Sequence, residues 1–223
     1  MLGNATLRAV PVAAVPPVGG TAPAYHPDDI AAGYTYNPNP APIPLPGNIQ
    51  GGDRLFIWLQ SDQSGGAVST LPAGWSSLVS GTIDGHGCAL LTRVADGAEG
   101  TTVMVDLFAA KGTAYVVWRV SGGGAPVVAM VQSEARVTSI TAPEVTGPTG
   151  PALAVALAAI GQYSPDVLTA PSGYGDLHQG VQSFTGLAAA AFREVSDGAA
   201  GGGSWTWTTE NPVYAVTLLV PGV

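Results

Sequence analysis

The chain has 223 residues, with 31 glycines, 19 prolines, only 10% charged residues and a formal net charge of −8. Hydrophobic residues make up 46%, so there is apolar mass to bury and too little charge to keep the chain unfolded. The acidic balance and the scattering of seven basic residues exclude a phosphate-tracking nucleic-acid surface, and the glycines lack the period of three of a collagen-like chain.

Residues 1–40 have no usable period of two or 3.6. Arg8 is the only early positive charge, and Pro11, Pro16 and Pro17 interrupt the apolar run that a secretory leader needs. The alternating prolines of YNPNPAPIPLPG favour extended, polyproline-like backbone. Ordering such a segment costs on the order of 1 kcal/mol per residue, so something must hold it. We read 1–40 as an anchoring arm that docks on neighbouring subunits, with Pro11, Pro16, Pro17, Tyr25, Tyr34, Tyr36, Pro38 and Pro40 as its contact residues.

From residue 41 the pattern changes to short apolar runs broken by Gly and Pro, which predicts an all-β sandwich over 41–223. Helix surfaces want Lys and Glu, and here there are one lysine, Lys111, and five glutamates. Leu55–Leu59 (LFIWL) is continuously apolar and predicts a central strand buried on both faces. Further strands are expected at Cys88–Val94, Thr101–Phe108, Tyr115–Val120 and Pro126–Gln132. After a Pro/Gly break, strands follow at Leu153–Ile160, Leu187–Val195, Ser204–Thr208 and Tyr214–Val220. LAVALAAI at 153–160 has helical propensity, but Pro151 and Gly161 confine it to strand length. No uncharged apolar stretch approaches the ~20 residues that span a bilayer.

An internal repeat organises these strands, over about 41–122 and 138–222. Pro72-Ala73-Gly74-Trp75 returns as Pro171-Ser172-Gly173-Tyr174, 99 residues later. Arg93 to Gly97 returns as Arg193 to Gly198 with one insertion, and Tyr115 to Gly122 returns as Tyr214 to Gly222. Each half alone would leave an apolar sheet face uncovered. We therefore expect a jelly-roll-like two-sheet β-sandwich built from an internally duplicated half.

Gly52-Asp53-Arg54-Leu55-Phe56, then Leu71-Pro72-Ala73-Gly74-Trp75, then Leu91 to Gly97, together resemble a β-sandwich module of tailed-phage and gene-transfer-agent virion proteins. That module is found in head fibres, spike bases, decoration proteins and tail fibres, and also in bacterial surface proteins. The likeness covers about 41–223 and leaves out residues 1–40. It implies a structural virion component, assembled in the bacterial cytoplasm, with capsid or tail subunits as partners. A homo-oligomer is implied too, a trimer if the chain forms a projecting base. It supplies no catalytic residues.

The residues themselves offer little chemistry. His26, His86 and His178 make no metal-ligand spacing, and no phosphate-binding loop or nucleophile elbow occurs. His86 and Cys88 flank a glycine in what reads as a hairpin, and Cys88, the only cysteine, reads as a small buried apolar residue. Asp96-Gly97-Ala98-Glu99 has two carboxylates but the signature of a tight turn. We expect no enzyme, cofactor or metal. The alternative role is adhesion to a host surface polysaccharide, with Trp75, Tyr174, Trp205 and Trp207 as stacking or interface aromatics. For Trp75 and Tyr174 the repeat favours plugs at the ends of the core.

Overall fold

A computed structural model describes residues 8–9, 21–36, 39–62, 67–108, 112–161, 168–182 and 186–223. Seventeen strands are described: β1 (Arg8–Ala9), β2 (Ala24–Tyr25), β3 (Ala31–Tyr36), β4 (Ala41–Pro44), β5 (Arg54–Ser61), β6 (Val68–Thr70), β7 (Ser76–Ile83), β8 (His86–Val94), β9 (Thr102–Leu107), β10 (Gly112–Ser121), β11 (Val127–Thr141), β12 (Val145–Thr146), β13 (Ala152–Ile160), β14 (Gly175–Gln182), β15 (Gly186–Val195), β16 (Ala199–Ala200) and β17 (Ser204–Pro221). A 3-10 turn, Pro27–Asp29, lies between β2 and β3.

The strands form two large antiparallel sheets. One runs β10-β5-β8-β7, and β2 and β3 both pair with β10 at its outer side. The other runs β1-β11-β17-β13-β15-β14. The order β10-β5-β8-β7 therefore recurs as β17-β13-β15-β14, and the duplicated half is a structural unit. Two small sheets, β4-β9-β6 and β12-β16, complete the arrangement.

Alternation along each strand explains the apolar runs. On β5, Phe56 and Trp58 enter a core shared by the two halves, while Leu55, Ile57 and Leu59 enter a core under β4 and β9. On β13, Leu153, Val155, Leu157 and Ala159 enter the shared core. Ala156, Ala158 and Ile160 face Trp205 and Trp207 in the second half's own core. Both faces of the central strands β5 and β13 are thus buried, which is why LFIWL and LAVALAAI show no polar alternation. Side-chain volume is complementary across the second inner core, where small alanines lie opposite two indoles.

The two halves are also joined by hydrogen bonds. Trp58 Nε1 donates to the Ala158 carbonyl at 2.8 Å, and the Tyr214 hydroxyl donates to the His86 carbonyl at 3.0 Å. Gly81 of β7 lies against the Tyr214 ring of β17, where a Cβ would come within 2.8 Å. Its equivalent, Gly180 of β14, lies on the backbone of Gly33 and Tyr115. Tyr115 and Tyr214 are themselves equivalent, so the halves approach each other by two related contacts, as in an isologous dimer.

Three features differ from the sequence expectation. The polar strands β7 and β14 were not expected: SSLVSGTI and GDLHQGVQ end their sheets, so neither needs a two-sided apolar pattern. The strand expected at Pro126–Gln132 runs on to Thr141 as β11, and the two expected at Ser204–Thr208 and Tyr214–Val220 are the single long β17. Register shifts after Ser133 and Val137 let these two strands leave one ladder and start another. Residues 24–25 and 31–36, expected in the arm, are strands of the sandwich itself.

Gly180→Ala is expected to lower unfolding stability by about 1–3 kcal/mol, because the new methyl meets backbone that cannot turn aside. Gly175→Ala, on the same strand with open space at its Cβ position, should change stability little. Urea denaturation of both variants checks the contrast.

Candidate functional site

The densest polar cluster lies where the N-terminal strands join the first half. Arg119 stands alone as a charge in the apolar strand β10 and is buried, with Asp53 beside it equally buried. Its Nη1 donates to Asp53 Oδ2 at 2.9 Å; Nη2 and Nε donate to Asp29 Oδ2 at 2.7 and 3.0 Å. Ser121, two residues on and so on the same face of β10, donates to Asp53 Oδ1 at 2.7 Å. His26 Nε2 lies 3.1 Å from the Ser121 hydroxyl. Asp29 ends the 3-10 turn, so the guanidinium bridges that turn to the Gly52-Asp53 entry of β5.

Burial alone would raise the Asp53 carboxyl. The Gln50 backbone N–H, the Ser121 hydroxyl and Arg119 outweigh it and hold the group below the usual carboxylate range. Histidine, serine and aspartate meet here, but not as a nucleophile relay. The serine proton is directed at Asp53, and the imidazole contacts the serine rather than the carboxylate. The cluster is a clasp.

Tyr25 ties the same segment to the second half. Its ring stacks on Phe192 at 5.0 Å and its hydroxyl donates to Asp176 Oδ2. Burial, and then the Asp176 carboxylate, push the phenol up to about 12. Tyr25 is therefore engaged within the chain, which corrects its expected role as a partner contact. Tyr34 and Tyr36 are different: they alternate on the outward face of β3 and are 56% and 61% exposed. Pro40 is exposed after Asn39, whose amide bonds the Leu107 backbone in both directions. Pro11, Pro16, Pro17 and Pro38 lie outside the described residues.

No family model, curated protein or solved structure matches the chain.

Trp75, Trp205 and Trp207 are buried in the inner cores. Burial agrees with Trp75 as a plug of the core and places Trp205 and Trp207 as core elements, and it leaves these three rings no exposed face for the alternative role as stacking platforms. Trp75 and Tyr174 close equivalent turns, with N–H bonds to Pro72 and Pro171 at 3.0 and 3.1 Å. Gly74 and Gly173 supply the positive φ each turn requires. Tyr174 is half-buried, and the Arg193 guanidinium lies 4.6 Å over its ring.

The remaining titratable groups are held by the fold. Burial pushes the Cys88 thiol up and holds the His86 imidazole down. His86 Nδ1 meets the Gln60 amide at 3.3 Å. Glu99 accepts the N–H groups of Asp96 and Gly97, and Arg93 faces both carboxylates of that turn. Among the described residues no three His, Cys, Asp or Glu side chains gather as a metal site.

The clasp was not singled out in the sequence. Its signal was present: one arginine inside a run that is otherwise apolar, YVVWRV, demands a buried counter-charge.

Arg119→Met should cost about 3–5 kcal/mol, since it leaves a buried Asp53 carboxylate without its cation. The Asp53 carboxyl is depressed in the folded state, so its stabilisation is complete above the ordinary carboxylate value of about 4 and fades as pH falls through the folded one. Urea titrations from about pH 5 down to about pH 2 should therefore show a steeper acid loss in the wild-type chain than in Asp53→Asn.

Proposed function

We propose that the chain is a non-enzymatic structural component of a phage-like virion, a decoration, head-fibre, spike-base or tail-associated protein, docked on other virion subunits through its N-terminal segment. The observation that supports this most is the seam itself. A segment rich in exposed tyrosine is fixed to the domain by β-pairing, a buried ion network and the Tyr25–Phe192 stack. Tyr34 and Tyr36 then stand outward on a rigid base, and exposed rings of this kind make strong protein contacts at little entropic cost. The polar groups of the seam serve the clasp, and the resemblance of the turn motifs to virion sandwiches points the same way.

The geometry also sets where the segment can be cut. Removing residues 1–40 would delete β2, β3 and Asp29 and expose the β10 edge, so loss of assembly would then report misfolding. Side-chain changes at the exposed rings avoid this. A tagged chain expressed in cells producing the particles should sediment with intact particles in a density gradient. Tyr34→Ser combined with Tyr36→Ser should retain the fold and reduce incorporation by at least about tenfold. A wild-type chain that stays at the top of the gradient, or a double variant incorporated at full copy number, would contradict the proposal.

A further inference from the structure

The two halves differ at one corner. In the first half, the inner core under the small sheet takes side chains from β5, β8 and β10 but none from β7. The small sheet β4-β9-β6 thus leaves the edge strand open, and a cleft of about 350 Å³ lies there. Its floor is β7 and Ala89; Val68 of β6, Leu71 just after it and Phe108 just after β9 form its walls.

The lining is of two kinds. Ser80 and Thr82 alternate on one face of β7, both exposed, with hydroxyls about 7 Å apart along the strand. Leu71 and Phe108 are 42% and 43% exposed, large apolar groups at the mouth of a concavity. Among the described residues no charged side chain lines the cleft, in a chain of net charge −8.

The repeat supplies an internal comparison. At the 99-residue spacing, Thr82 corresponds to Val181 and Leu71 to Ala170. Both replacements pack against the second half's own core. Thr82 and Leu71 thus stand where the second half packs apolar groups onto its core, while Ser80 corresponds to the polar Gln179. The fold does not require the opening.

We propose that this corner binds a neutral pyranose sugar. Such a ring has an apolar C–H face, which matches Phe108 and Leu71, and a rim of hydroxyls, which matches Ser80 and Thr82. Among the described lining residues a carboxylate or phosphate would find no cation, and an ammonium would find no carboxylate. A purely aliphatic ligand would cover the hydroxyl floor without bonding it, which is unfavourable. Size agrees, since pockets for small molecules start at about 300 Å³. The site is independent of the tyrosine seam, so it stands or falls without reference to particle assembly.

The test is a nuclear magnetic resonance titration of the full chain with methyl β-D-galactopyranoside and methyl α-D-glucopyranoside, with sodium glucuronate and hexan-1-ol as comparison probes. At least one methyl glycoside should shift the amides of Ser80–Thr82 and Phe108 and saturate in roughly the millimolar range. Phe108→Ala and Thr82→Val, both at exposed positions, should retain the dispersed spectrum and weaken binding by at least about fivefold. Absence of shifts at those amides with both glycosides to about 50 mM, well past that range, would overturn the proposal. So would undiminished binding in both variants, or tighter binding of glucuronate or hexanol than of either sugar.

Discussion

Everything in this molecule depends on burying both faces of the central strands of the two large sheets. A single antiparallel sheet can leave one face to water, but β5 and β13 cannot, because neither has a polar face. One side of each enters the shared core, the other an inner core of its own half. Neither half can separate without exposing Phe56, Trp58, Val155, Leu157 and Val216 together. The close contacts of Gly81 with Tyr214 and of Gly180 with Tyr115 follow from the same demand, since the polar end strand of each half must lie tight against the other half.

The N-terminal strands belong to that logic rather than standing outside it. β3 occupies in the first half the place next to β10 that β11 occupies next to β17 in the second. In the second half the preceding strand comes naturally from the chain leaving β10. In the first half it comes from residues 31–36, and Arg119 with Asp29 and Asp53 secures the connection. A buried ion pair is costly to break and weak evidence of net stabilisation, but it fixes register. With the segment so fixed, Tyr34 and Tyr36 are presented at defined positions, and this is what gives a contact surface its specificity.

Much of the fold was legible because the duplicated turns carry local rules. Pro-x-Gly-aromatic needs a glycine at positive φ, and it recurs with the same N–H bond to proline. LFIWL read correctly as a strand buried on both faces, and LAVALAAI as a strand. The hydroxyl- and glycine-rich β7 and β14 did not read as strands, because an end strand is specified by its neighbours more than by its own pattern. The candidate site was less legible. An exposed tyrosine and a buried one look alike in sequence: Tyr25 and Tyr34 sit nine residues apart, and only the fold shows that Phe192 and Asp176 take the first. Trp205 and Trp207 alternate and so share one strand face, but which way that face points is decided by the alanines of β13 and β15 opposite them.

The central claim is that the two halves share one core and form one cooperative unit. Differential scanning calorimetry tests it most directly. A single unfolding transition, with van't Hoff and calorimetric enthalpies equal, is the predicted result. Two resolved transitions, or a van't Hoff enthalpy near half the calorimetric one, would show halves that unfold separately and would contradict the account.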